Sequence, residues 1–94
     1  MTDKLIKLYA YVTISSYRLK TLKSLHDGDK NPTQISKFSG IRVTHTSNVL
    51  REFKDHGIVI CLNEDRRKNR VYHLTDLGRE IAELIEEKEK KDKN

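Results

Sequence analysis

Two groups of side chains in this chain could do chemistry, and in both the chemistry is non-covalent. Thr44, His45, Ser47 and Asn48 lie together between Gly40 and Gly57. Each is a short donor or acceptor, and on a helix they would form one polar face that continues to Arg51. Hydrogen-bonding groups at the start of an exposed helix suit the donor and acceptor pattern of base edges in a DNA major groove. Arg66, Arg67, Lys68 and Arg70 then place four cations within five residues of a polar run. Cations at the tip of a loop neutralise phosphates, release counterions and can enter a narrow minor groove.

Covalent and metal chemistry find no comparable grouping. His26, His45, His56 and Cys61 stand at no metal-ligand spacing. On one helix His45 and His56 would be about 16 Å apart. No acid, base and nucleophile cluster, and no glycine-rich phosphate loop is present. The chain is therefore expected to be no enzyme, with no catalytic residue, metal or cofactor. The one cysteine cannot form an intrachain disulfide, which suits a reducing compartment. Within an apolar strand Cys61 reads as a small buried hydrophobe. No apolar run approaches a membrane span, and no secretory signal is visible near the N-terminus. The expectation is a cytoplasmic protein with no membrane contact.

The 94 residues fit a single domain with a thin core and carry a net charge of +5. The charge is uneven: residues 1–41 hold seven Lys+Arg against three Asp, residues 42–73 seven against four acids, and residues 74–94 five against seven. Basicity in the front and middle fits an anionic partner.

The elements that would position the two groups can be read in order. Leu5, Leu8, Tyr9 and Val12, widened by Ile6, predict an amphipathic helix over 3–13. Ser15 and Ser16 interrupt it and can cap a second helix, Tyr17 to His26, with Leu19, Leu22 and Leu25 inward. Residues 3–26 could equally be one bent helix. Asn31, Pro32 and Gln34 form a capping-box start for a helix to Ser39, with Ile35 and Phe38 facing the core. Gly40 can take the left-handed conformation that closes it. Val43, Thr46, Val49, Leu50 and Phe53 are the packing stripe of the next helix, Val43 to His56. Ile58–Leu62 and Val71–Leu74 read as a hairpin with the polar residues 63–70 at its tip. Thr75 caps a last helix with Leu77, Ile81, Leu84 and Ile85 on one stripe.

A three-helix core with a hairpin needs only about residues 15–75. Leu5, Ile6, Leu8, Tyr9 and Val12, with Ile81, Leu84 and Ile85, then look like surplus apolar surface. Covering it with a second copy predicts a homodimer whose interface is built from 1–14 and 76–90, leaving 91–94 as a frayed tail. The fold expected is α+β and mostly helical: a winged helix-turn-helix with a two-stranded β-hairpin wing and flanking N- and C-terminal helices.

The runs SSYRLKTLKSL, NPTQISKFSGIRVTHTSNVLREFKDHGIVICLN and KNRVYHLTDLG resemble an archaeal family of winged helix-turn-helix transcriptional regulators, akin to the MarR and ArsR groups. The resemblance covers about Ser15 to Gly78. It implies a dimeric DNA-binding transcription factor whose second motif helix reads bases and whose wing holds the backbone. The chain departs from that pattern in two places. Arg42 stands where related proteins often cap with Ser or Thr, so either the cap moves to Thr44 or Arg42 faces phosphate. The Cys and His clusters of metal sensors have no counterpart, so metal sensing is not implied.

The expected partners are double-stranded DNA and a second copy of the chain; no effector ligand can be named. Thr44, His45, Ser47 and Asn48 are the expected base contacts. Lys37, Arg42, Arg51, Lys54, Arg66, Arg67, Lys68 and Arg70 are the expected backbone contacts. The alternatives are a protein–protein interaction module, and after it an RNA-binding or architectural protein. The tyrosines at 9, 11, 17 and 72 lie away from the expected reading face, which disfavours single-strand stacking.

Overall fold

A computed structural model describes residues 2–92. The elements run α1 (Asp3–Thr13), α2 (Ser16–Asp27), α3 (Pro32–Ser39), α4 (Val43–Asp55), β1 (Val59–Cys61), β2 (Tyr72–Leu74) and α5 (Asp76–Asp92). Residues 3–26 are thus two helices. Ser15 takes an extended backbone and its hydroxyl accepts from the Arg18 amide at 3.3 Å, capping α2. The capping box at α3 is present in both directions: Asn31 Oδ1 accepts from the Gln34 amide at 2.8 Å, and Gln34 Oε1 accepts from the Asn31 amide at 2.9 Å.

β1 and β2 pair antiparallel in the register Val59↔Leu74, Ile60↔His73, Cys61↔Tyr72. Each strand is shorter than the apolar run that announced it. Beyond Cys61 the side chain of Asn63 accepts from the Val71 amide, at 2.8 Å, and opens the ladder into a loop. Lys30 adds a single bridge to the far side of Tyr72. Cys61 is half-buried rather than fully enclosed, with its Sγ 3.6 Å from Asn63 Oδ1.

The core draws on every helix: Leu8 and Val12 from α1, Leu22 and Leu25 from α2, Ile35 from α3, Val49, Leu50 and Phe53 from α4, and Ile81, Ala82 and Ile85 from α5. This corrects the assignment of four of the eight interface residues expected on the outer helices. Leu8, Val12, Ile81 and Ile85 are buried within the chain's own core. Leu5, Tyr9 and Leu84 are half-buried, and Ile6 alone of that set is exposed. The physical reason is the thinness of a small domain's core, which needs these two helices to close it. An ion pair between Lys23 and Glu89 at 2.7 Å fastens α5 to α2, and His26 Nδ1 lies 3.6 Å from a Glu86 carboxylate oxygen. α5 stays helical to Asp92, past the apolar stripe. Pairs one turn apart, Glu86–Lys90 at 3.5 Å and Glu87–Lys91 at 3.9 Å, support that stretch. The tail expected at 91–94 therefore begins as helix, and residues 93 and 94 lie outside the described residues.

Two further placements differ from expectation. Phe38 and Val43 are exposed rather than packed inward. Ile41, in the turn between α3 and α4, is buried in their place. Phe38 instead lies under the Lys30 ammonium, 4.6 Å from its ring centroid.

The start of α5 docks on the hairpin root through one close approach. Thr75 donates its amide to the Ile58 carbonyl at 3.0 Å and its hydroxyl to the Gly57 carbonyl at 2.6 Å. The same hydroxyl accepts from the Gly78 amide at 3.1 Å. A Cβ on Gly78 would overlap the Ile58 carbonyl oxygen and crowd Leu74.

Candidate nucleic-acid interface

The turn between α3 and α4 is built by glycine and serine. Gly40 has φ +80° and donates its amide to the Ser36 carbonyl at 2.8 Å. Ser36 Oγ donates to the Ile41 carbonyl at 2.5 Å, and Ser39 Oγ accepts from the Ile41 amide at 3.3 Å. These bonds, with Ile41 sealed beneath them, fix the direction in which α4 leaves the turn. Arg42 takes the capping position of α4, is exposed, and makes no side-chain cap bond. The cap has not moved to Thr44. The first-turn amides therefore lack side-chain satisfaction, and the positive end of the helix dipole sits beside a guanidinium.

On α4 the buried residues are Thr46, Val49, Leu50 and Phe53. Thr44, Asn48 and Arg51 are exposed on the opposite face, with Ser47 half-buried at its edge. Asp55 ends the same line and closes it with a negative charge. His45 is turned to the side, towards α2, where its ring stacks on Tyr17. That contact corrects the expectation that the tyrosines lie away from the reading face. Lys37 is exposed on α3.

The orientation of α4 is held by residues that sequence reasoning did not single out. Glu52 accepts from the Tyr11 hydroxyl at 3.2 Å and lies 3.5 Å from Arg18 Nε. Arg18 also donates to the Tyr11 carbonyl at 3.0 Å and covers the Tyr11 ring at 4.0 Å. Tyr11 in turn touches Phe53 edge-on and lies 4.4 Å from the His56 ring. Burial pushes the Tyr11 hydroxyl above its usual range, the first of several opposed influences. The sequence holds no signal for this cluster, because Tyr11 and Glu52 are 41 residues apart.

The loop between β1 and β2 is ordered by its own polar side chains. Asn63 Nδ2 donates to the Asn69 carbonyl at 3.1 Å, and Asn69 takes a left-handed φ of 58°. Arg70 folds back, donating Nε to the Arg66 carbonyl at 2.6 Å and Nη2 to the Glu64 carbonyl at 3.1 Å. Glu64 pairs with Lys54 of α4. The hydrogen bond between them holds the Glu64 carboxyl below, and the Lys54 ammonium above, its ordinary value. The backbone-contact set therefore divides. Arg70 is occupied in shaping the loop and Lys54 in an ion pair. Arg66, Arg67 and Lys68 are exposed, with no ion-pair or side-chain hydrogen-bond partner among the described residues.

No group of three or more His, Cys, Asp or Glu able to hold a metal occurs among the described residues. Among the described residues no helix is long and apolar enough to cross a membrane.

No protein-family model and no curated protein matches the chain. Solved structures do. TubR bound to 24 bp of tubC, from Bacillus thuringiensis serovar israelensis pBtoxis, superposes with a TM-score of 0.80 at 16% identity, over 94% of this chain and 98% of that one. A second TubR structure, described as a type III plasmid segregation protein, gives 0.76 at 17% identity, over 94% and 90%. The homodimeric winged helix-turn-helix DNA-binding domain Mb0332 of Mycobacterium bovis, a possible ArsR-family transcriptional regulator, gives 0.63 at 20% identity, over 89% and 80%. The fold is a winged helix. In its terms α3 and α4 are the helix-turn-helix and the β1–β2 loop is the wing.

Proposed function

We propose that this chain is a sequence-specific, duplex-DNA-binding regulator of transcription that acts as a homodimer. One observation carries the reading: α4 turns a polar face outward beside a wing that presents three unpartnered cations. Asn48 and Thr44, with Ser47 and His45 at the edges, are the base contacts of this proposal. Arg42, Arg51 and Lys37 hold phosphates around them, and Arg66, Arg67 and Lys68 hold the backbone or enter the minor groove. Lys54 joins them by exchanging Glu64 for a phosphate. A protein-binding module would put apolar groups where Thr44, Asn48 and Arg51 stand. The ArsR- and MarR-like, archaeal-type grouping and a cytoplasmic site of action belong to the same proposal. Support for the dimer comes from the homodimeric Mb0332 domain, and the surface for it is what the protomer leaves open on α1 and α5, Ile6 with the flanks of Leu5, Tyr9 and Leu84.

Selection of bound duplexes from a random pool at two salt concentrations tests the reading. A palindromic consensus that persists at the higher salt is the expected result. Binding with no consensus at either salt would replace sequence reading with an architectural role.

A second reading, DNA segregation, is favoured by the match to TubR along nearly the whole of both chains. On this reading many copies would load on one DNA. A regulator fills its single site and stops. The stoichiometry of binding to long genomic fragments separates the two.

A further inference from the structure

Tyr17 is the second residue of α2, outside the helix-turn-helix, and 43% of its surface is exposed. Its ring lies over the His45 imidazole with centroids 4.4 Å apart and planes only 19° apart. Neither ring belongs to the hydrophobic core. The contact closes no cavity, and its effect falls on one side chain at the start of α4.

α2 is well placed to impose that effect. It is fixed by its Ser15 cap and by buried Thr21, Leu22, Ser24 and Leu25. The next residue, Arg18, grips the same helix α4 at Glu52, two turns beyond His45. The two contacts hold α4 against α2 near both ends. A histidine on an open helix face samples several rotamers. Stacked on a tyrosine, its ring plane is held, and its two nitrogens are presented along that plane.

We propose that Tyr17 is a positioning residue for sequence recognition: it fixes the His45 imidazole so that a ring nitrogen meets one base edge. A specificity determinant is then supplied from outside the helix-turn-helix. The inference rests on the reading of α4 as a DNA-recognition helix. The ordinary alternative is a staple between α2 and α4, which would change thermal stability and leave sequence preference alone.

The test begins with the consensus selected by the unaltered protein. Affinities for that duplex and for singly substituted duplexes are then compared across Tyr17→Phe, Tyr17→Ala, His45→Ala and the Tyr17→Ala/His45→Ala double variant. Circular dichroism verifies folding, which the position of both rings outside the core favours. Tyr17→Phe keeps the ring and should keep the preference. Tyr17→Ala should weaken the preference at one base position by about threefold to tenfold, the effect of releasing one immobilised side chain. His45→Ala should flatten the same position, and the double variant should be no worse than His45→Ala alone. A preference that survives Tyr17→Ala, or losses that fall at different positions or add in the double variant, overturns the inference while leaving DNA recognition standing. An unaltered protein that selects no sequence overturns both.

Discussion

The wing gives the sharpest quantitative expectation. Residues 42–73 hold seven basic side chains, yet the structure does not make them equivalent. Arg70 is bound to two carbonyls of its own loop, and Lys54 faces Glu64. At the tip this leaves Arg66, Arg67 and Lys68. Each phosphate contact adds about 0.9 to the slope of log affinity against log salt. Replacing the three with alanine should lower that slope by about 2.7 per protomer. Between about 50 and 200 mM salt that difference corresponds to about fortyfold in affinity for any duplex. Fluorescence anisotropy with a random-sequence duplex, titrated across that range, measures it directly. The variant should keep the parent's circular dichroism and melting temperature, because Asn63 and Arg70 shape the loop while the three side chains point into solvent. A folded variant with the parent's slope would show that the wing tip does not touch DNA, and the proposed interface would shrink to α3 and α4.

Asn48→Ala should lose about 1–3 kcal/mol of discrimination at one base position, read by competition between singly substituted duplexes; equal discrimination before and after removes Asn48 from the readers. Lys54→Ala should lower the nonspecific salt slope by about 0.9, and an unchanged slope would leave Lys54 without a phosphate. In the unaltered protein Lys54 holds the Glu64 carboxyl below its ordinary value. Any stabilisation from this exposed pair is thus present above the ordinary glutamate value and lost as pH falls through the lowered folded one; an NMR titration of the Glu64 carboxyl should find its midpoint shifted downward. Gly78→Ala should destabilise the fold by about 1–3 kcal/mol in chemical denaturation, because overpacking against a backbone carbonyl outweighs the better helix propensity of alanine; a more stable variant would refute the close approach. Ile6→Asp, at an exposed position, should yield a folded monomer in sedimentation if α1 lies in the dimer interface, and an unchanged dimer would move the interface elsewhere.

Local chemistry made much of this architecture legible. Asn31, Pro32 and Gln34 announce the start of α3 within four residues, and Gly40 announces its end. The polar face of α4 follows from spacing alone. What stayed hidden depends on which distant element arrives next to a residue. A helical stripe says that a face is covered and not by which chain, so Leu8, Val12, Ile81 and Ile85 suited a partner's surface as well as their own core. Phe38 and Val43 fit the periodicity of packed positions, but the turn at Ile41 supplies the burial instead. Arg70 is chemically the same as Arg66 and Arg67, and only the fold of the loop separates a structural arginine from two free ones. The Tyr17–His45 and Tyr11–Glu52 contacts cross between helices and leave no trace in local pattern.

The docking of α5 on the hairpin root has a use beyond this chain. Leu74 ends the second strand, Thr75 follows it, and after two more residues comes Gly78. The threonine turns the chain by bonding back to the two residues that lead into the first strand, and the glycine lets the new helix rest directly on the carbonyl of the second. In this chain the short string Leu-Thr-x-x-Gly marks where the returning helix lands on its hairpin. Paired with a basic loop a few residues upstream, it can be searched for in chains whose overall similarity has decayed below recognition. Each match would carry a checkable geometric claim, that the third residue of the helix sits within van der Waals reach of the residue entering the first strand.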